Sequence, residues 1–147
     1  MRLYRSTGHR DGCAKALNNI GWYHALLGEY QETLTWCGQA LAQHRSLGDR
    51  RGQADTLDSL GYAYLHLAEH DRAAACYLQA IELFQELGDR YSEAYSLNRL
   101  GEVRLAAGDP DSARTVWQRA LGILTDLDHS DAHEVRAKLR AVPTAGT

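Results

Sequence analysis

Apolar positions recur at intervals of three and four along most of this chain. Over 51–67, Ala54, Leu57, Leu60, Gly61 and Tyr64 fall on one face of a helix. Over 71–87, Ala73, Ala74, Tyr77, Ala80, Ile81, Phe84 and Leu87 do the same. Short breaks part such helices: LGEY (27–30), LAEH (67–70) and AGDP (107–110). In the last of these, Asp109 followed by Pro110 predicts an N-cap with proline at the first helical position. A second kind of junction, Gly-Asp-Arg at 48–50 and 88–90, predicts a glycine that ends one helix in the left-handed conformation and an aspartate that caps the next.

The pattern repeats. Shifted by 40 residues the chain matches itself without gaps, aligning Leu17, Leu57 and Leu97, then Gly21, Gly61 and Gly101, then Ala40, Ala80 and Ala120. SLGDRRGQADTLDSLG (46–61) and ELGDRYSEAYSLNRLG (86–101) show the register most plainly. Three copies of a helix pair predict an all-α array in which each unit buries its apolar face on its neighbours. Glycine in mid-helix costs up to about 1 kcal/mol relative to alanine, so three of them predict close helix approach. The expected neighbours are Ala40, Ala80 and Ala120, with Tyr77, Phe84 and Trp117 filling wider gaps.

The spacing L-x-x-[IL]-G, with alanine 19 residues on, resembles the tetratricopeptide repeat. Copy two carries Leu57, Leu60, Gly61, Tyr64, Ala73, Tyr77 and Ala80 at the family's positions. His24 and Arg104 replace the usual tyrosine, Thr33 an alanine and Cys37 an aromatic, and the terminal proline of the second helix is missing from every copy. The period is 40 rather than about 34 residues, which predicts a second helix longer by more than a turn. The long period and the L-G-D-R junctions resemble eukaryotic cell-polarity scaffolds and the C-terminal arrays of bacterial signal-transduction ATPase regulators. The tail HSDAHEVRAKLRAV and the Arg-rich composition are more similar to the latter, including the actinobacterial antibiotic-regulatory proteins.

The expected architecture is a tetratricopeptide-repeat helical-hairpin solenoid of three full repeats, 8–47, 48–87 and 88–127, and a C-terminal capping helix in 128–142. Residues 1–7 read as the remnant of a preceding repeat helix, since 2–8 align with 42–48, and 143–147 as a flexible tail. Asp131 and Glu134 stand in a capping-box arrangement at the start of the last helix. The first hairpin is expected to expose a face that an upstream repeat would cover, which predicts a homodimer through the amino-terminal face.

The resemblance implies that the first helices line a concave groove. Carried over position by position, the groove residues are Lys15, Asn18, Trp22 and Leu26 in copy one. Asp55, Asp58, Tyr62 and His66 follow in copy two, and Tyr95, Asn98, Glu102 and Leu105 in copy three. Spacings of three and four keep each set on one helical face. Trp22, Tyr62 and Tyr95 are the expected anchors, Asn18 and Asn98 the expected partners of a peptide backbone, and Asp55, Asp58 and Glu102 make the groove acidic. The family's clamp for acidic peptide termini needs Lys and Arg at several of these places and is not matched, so a basic or apolar peptide is expected.

Composition narrows the chemistry. A net charge of −3 and a pI near 6.1 lack the basic surplus of a nucleic-acid binder. No apolar run approaches the roughly 18 residues of a membrane span, and MRLYRSTGHRDG has no apolar core of a secretory signal. A cytoplasmic location is therefore expected. The three cysteines, Cys13, Cys37 and Cys76, form no C-x-x-C and read as small buried hydrophobes. His66 to His70 spells H-x-x-E-H, but that zinc chemistry needs one continuous helix, and the repeat places a turn there. His129 and His133 read as solvated. With no phosphate loop and no nucleophile elbow, no enzyme, metal or cofactor is expected. The expected function is protein or peptide binding, or packing against other domains of a parent regulator.

Overall fold

The computed structural model describes residues 7–142, the side chains of 7–9 and 11 excepted. The described residues form seven helices: α1 (Thr7–Leu26), α2 (Tyr30–Leu47), α3 (Arg50–His66), α4 (His70–Leu87), α5 (Arg90–Ala106), α6 (Pro110–Asp126) and α7 (Ala132–Ala141). Residues 1–6 and the tail at 143–147 lie outside that range. Consecutive helices pack as antiparallel hairpins, each hairpin packs on the next, and α1, α3 and α5 also touch in succession. This is the expected all-α helical-hairpin solenoid, with α7 closing it against α6.

Six junctions are built alike. One or two residues past each helix end the chain turns left-handed, with φ of 79° at Gly28, 67° at Gly48, 61° at Ala68, 70° at Gly88, 85° at Gly108 and 52° at Asp128. The N–H of each such residue, and that of the following residue, return to carbonyls of the last turn, as Gly48 does to Arg45 and Asp49 to His44. Glycine fits four of these positions; Ala68 and Asp128 adopt the same conformation with a side chain. Asp49, Asp89 and Asp109 then accept from the backbone N–H of Gly52, Ser92 and Ser112 at 3.0, 3.0 and 3.1 Å, the expected N-caps. The copies of Asp109 at the other hairpin turns, Glu29 and Glu69, have a longer side chain and make no such bond.

The mid-helix glycines do allow close approach, but not of the alanines. A Cβ on Gly61 would lie 2.7 Å from the Tyr77 ring, one on Gly101 2.2 Å from Nε1 of Trp117, and one on Gly21 2.4 Å from Sγ of Cys37. Each glycine therefore seats the residue 16 positions on, and the largest side chains lie on the glycines rather than in wider gaps. Seating needs a missing side chain because Tyr77 and Trp117 are 1% and 2% exposed. Around them two apolar clusters form, one centred on Leu57, Leu60 and Phe84, the other on Tyr77, Leu97 and Trp117 and extending to Val135 of α7.

Two further expectations are corrected. Cys37 and Cys76 are buried thiols, but Cys13 is exposed, because its repeat position holds the part-exposed polar residues Gln53 and Glu93 in the other copies. The capping box at α7 does not form: Asp131 already has helical backbone angles, and its carboxylate accepts the Tyr91 hydroxyl at 2.8 Å instead of the backbone. Among the described residues no helix is long and apolar enough to cross a membrane.

Candidate functional site

The first helix of each hairpin contributes to one inner surface. Between α1, α3 and α5 it deepens into an open cavity of about 370 Å³. Asn18 and Trp22 from α1, Asp55, Asp58 and Tyr62 from α3 and Tyr95 from α5 all line it, so six of the expected groove residues meet there. Periodicity explains the convergence, since these positions recur every three or four residues on helices that pack side by side.

Aromatic contacts run from this cavity towards the hairpin turn. Trp22 meets Tyr62 edge-on with ring centroids 5.0 Å apart. His66 lies 4.3 Å from Tyr62 and stacks on Tyr30 at 4.8 Å. His66 ends α3 and His70 starts α4, so H-x-x-E-H spans a turn and its two imidazoles belong to different helices. His129 contacts the Tyr91 ring at 4.6 Å and accepts the Asp131 N–H at 3.0 Å. Among the described residues no three His, Cys, Asp or Glu side chains are grouped to hold a metal ion.

The carboxylates differ in setting. Asp58 is half-buried and accepts the Ser96 hydroxyl at 2.7 Å. Burial pushes its pKa up to about 7, Asp55 adds to the rise, and Ser96 and Arg99 oppose it. Burial also raises the pKa of Asp55 at the cavity mouth, with Arg51 opposing. Lys15 lies with Asp55 and the buried His44 around an adjoining cavity of about 480 Å³. Asn18 accepts the Cys37 thiol at 3.4 Å.

The third copy departs from an open groove. Asn98 and Glu102 both accept from the ammonium of Lys138 on α7, at 2.8 and 2.7 Å. Glu102 also pairs with Arg99 at 3.3 Å, so its charge is compensated rather than lent to the groove. Leu26 and Leu105 are exposed beyond the cavity, 63% and 41%.

Arg99 is the main residue that the repeat positions miss. Its guanidinium lies 5.3 Å from the centroids of both Tyr62 and Tyr95 and donates to the Tyr95 hydroxyl at 3.2 Å. Its copies Asn19 and Ser59 line the cavity. The repeat position next to Asn18, Asp58 and Asn98 thus faces inward as well, and its polar content in all three copies was the available signal.

The tetratricopeptide repeat model matches residues 12–86 and again 59–126. No curated protein matches the chain. Among solved structures, a Rap protein complexed with competence and sporulation factor is similar at 16% identity over 88% of this chain and 36% of that one, with a TM-score of 0.80. The apo form of RapI is similar at 16% identity over 86% and 46%, TM-score 0.79. BtubC from P. vanneervenii is similar at 20% identity over 99% and 56%, TM-score 0.70. The chain thus spans from about a third to somewhat over half of these structures, and at such identities the likeness is one of fold. The two overlapping matches reach from residue 12 to residue 126 and take in every hairpin, and the chain belongs to the tetratricopeptide repeat family.

Proposed function

We propose that this chain is a non-enzymatic protein–protein interaction module that holds a peptide or extended protein segment along the inner face of α1, α3 and α5. The observation that carries this reading is the cavity shared by those helices, with Trp22, Tyr62 and Tyr95 as rigid apolar anchors beside amide and carboxylate groups. A Rap protein of the same fold was crystallised with competence and sporulation factor, which supports ligand binding by such an array. In this reading 8–47, 48–87 and 88–127 are long repeats capped by 128–142. They form the sensor or scaffold region of a bacterial, actinobacterial-type transcriptional regulator whose other domains bind ATP and DNA.

A displayed peptide library selected on the wild-type chain and on Tyr62→Ala tests the groove. Selected peptides carry basic or apolar residues and bind the variant about tenfold or more weakly, the loss of one anchor. Exclusive selection of acidic peptides, or equal binding by the variant, overturns the reading.

One observation favours a second reading, self-association. Ile20 and Tyr23 on α1 are 40% and 63% exposed, whereas their copies Leu60, Leu100, Ala63 and Val103 are at most 6% exposed. α2 covers that face of α3, and α4 covers that of α5. A second copy of the chain seated on α1 supplies the corresponding cover.

A further inference from the structure

We propose that the cavity between α1, α3 and α5 is a pocket for one cationic side chain of a bound peptide, arginine in preference to lysine. The pocket rests on the groove reading above and adds what the groove selects. Three features argue for a cation. The first is charge: Asp55 and Asp58 both line the cavity, and the two arginines that act on them, Arg51 and Arg99, stand outside its lining. The second is unused capacity. A carboxylate offers about four acceptor sites, and the Ser96 hydroxyl supplies one donor to Asp58. An incoming N–H donor there forms a charge-assisted bond in partly desolvated surroundings, where such bonds are strongest.

The third is an arginine the molecule already holds in this way. The guanidinium of Arg99 sits at 5.3 Å from the rings of Tyr62 and Tyr95, and those tyrosines also wall the cavity. Trp22, edge-on to Tyr62, extends the aromatic wall on the α1 side. A planar guanidinium stacks on such rings and offers two parallel donors to a carboxylate, and it is more weakly hydrated than an ammonium, so it enters the cavity at lower cost. A volume of about 370 Å³ is near the lower end of small-ligand sites, and so suits one side chain with its flanking backbone.

The test, run at pH 8 so that the Asp58 carboxyl is ionised, titrates the full 15N-labelled chain with N-acetyl-arginine methylamide, the lysine equivalent and the uncharged isostere N-acetyl-citrulline methylamide, and follows the Trp22 indole and Ser96 amide resonances. Arginine moves both to saturation, lysine binds more weakly, and citrulline binds about tenfold or more weakly than arginine. Asp58→Asn, which keeps an acceptor for Ser96, and the exposed Asp55→Asn each weaken arginine binding while both variants still unfold cooperatively and no earlier than wild type. Equal binding of citrulline and arginine, or saturating arginine that leaves Trp22 unmoved, overturns the pocket while leaving Tyr62-dependent peptide binding to be judged by selection. Arginine saturation at Trp22 with no Tyr62-dependent peptide supports the pocket and removes the wider groove.

Discussion

At the scale of single residues, identical substitutions at different glycines have opposite signs. Gly101 and Gly122 are both inside helices. A Cβ at Gly101 would meet the buried Trp117 indole at 2.2 Å, whereas one at Gly122 meets nothing within 4 Å. The indole cannot easily retreat, because its Nε1–H donates to the Asn98 carbonyl at 2.9 Å. Gly101→Ala therefore lowers stability by about 1–3 kcal/mol through overpacking, and Gly122→Ala raises it by about 0.5–1 kcal/mol through helix propensity; urea unfolding of both reads the contrast. Asp58 gives a pH dependence. With its pKa raised from 3.8 to about 7, the folded chain keeps a proton that the unfolded chain releases. The stability this contributes is full below about pH 4 and is lost as pH rises through about 7. Asp58→Asn should melt higher than wild type at pH 8 and alike at pH 4. Parallel melting curves across that range would place the dependence on other groups.

At the scale of elements, the junctions show what was legible and why. Gly48, Asp49, Gly88, Asp89 and Pro110 each do locally what their residue type dictates, and the helix bounds follow from them. Ala68 and Asp128 carry no such mark. They take φ of 61° and 52° because four copies of the same junction fix the geometry. In Ala68→Gly the relief of left-handed strain, roughly 1–2 kcal/mol, exceeds the added unfolded-state entropy, about 0.4–1 kcal/mol. The turn should gain about 0.5–1 kcal/mol in thermal or urea unfolding, while a variant less stable by about 0.4–1 kcal/mol would mean Ala68 is unstrained. The groove was legible only in part. Asn18, Trp22, Asp55, Asp58, Tyr62 and Tyr95 followed from the repeat positions the family resemblance implied, but Arg99 and Lys138 did not. Lys138 reaches α5 from α7, a contact between an irregular helix and a regular one, which no internal period encodes.

At the scale of the whole molecule, the two ends of the array differ. α7 covers α6 with Ala132 and Val135, 5% and 0% exposed, whereas Ile20 and Tyr23 leave apolar groups exposed on α1. Sedimentation equilibrium should show a concentration-dependent dimer that Ile20→Glu with Tyr23→Glu disperses, and that an added upstream helix pair weakens. A monomer at every concentration, or dimers indifferent to both changes, would remove the second reading. The covered end has a different consequence, for the direction in which a ligand is read. Because the Lys138 ammonium sits on Asn98 and Glu102, a peptide held along the inner face as proposed would run from Asn18 to Tyr95 and there meet positions already taken. The proposed groove would then work as a ruler with a stop, registering its ligand by an end rather than by its middle.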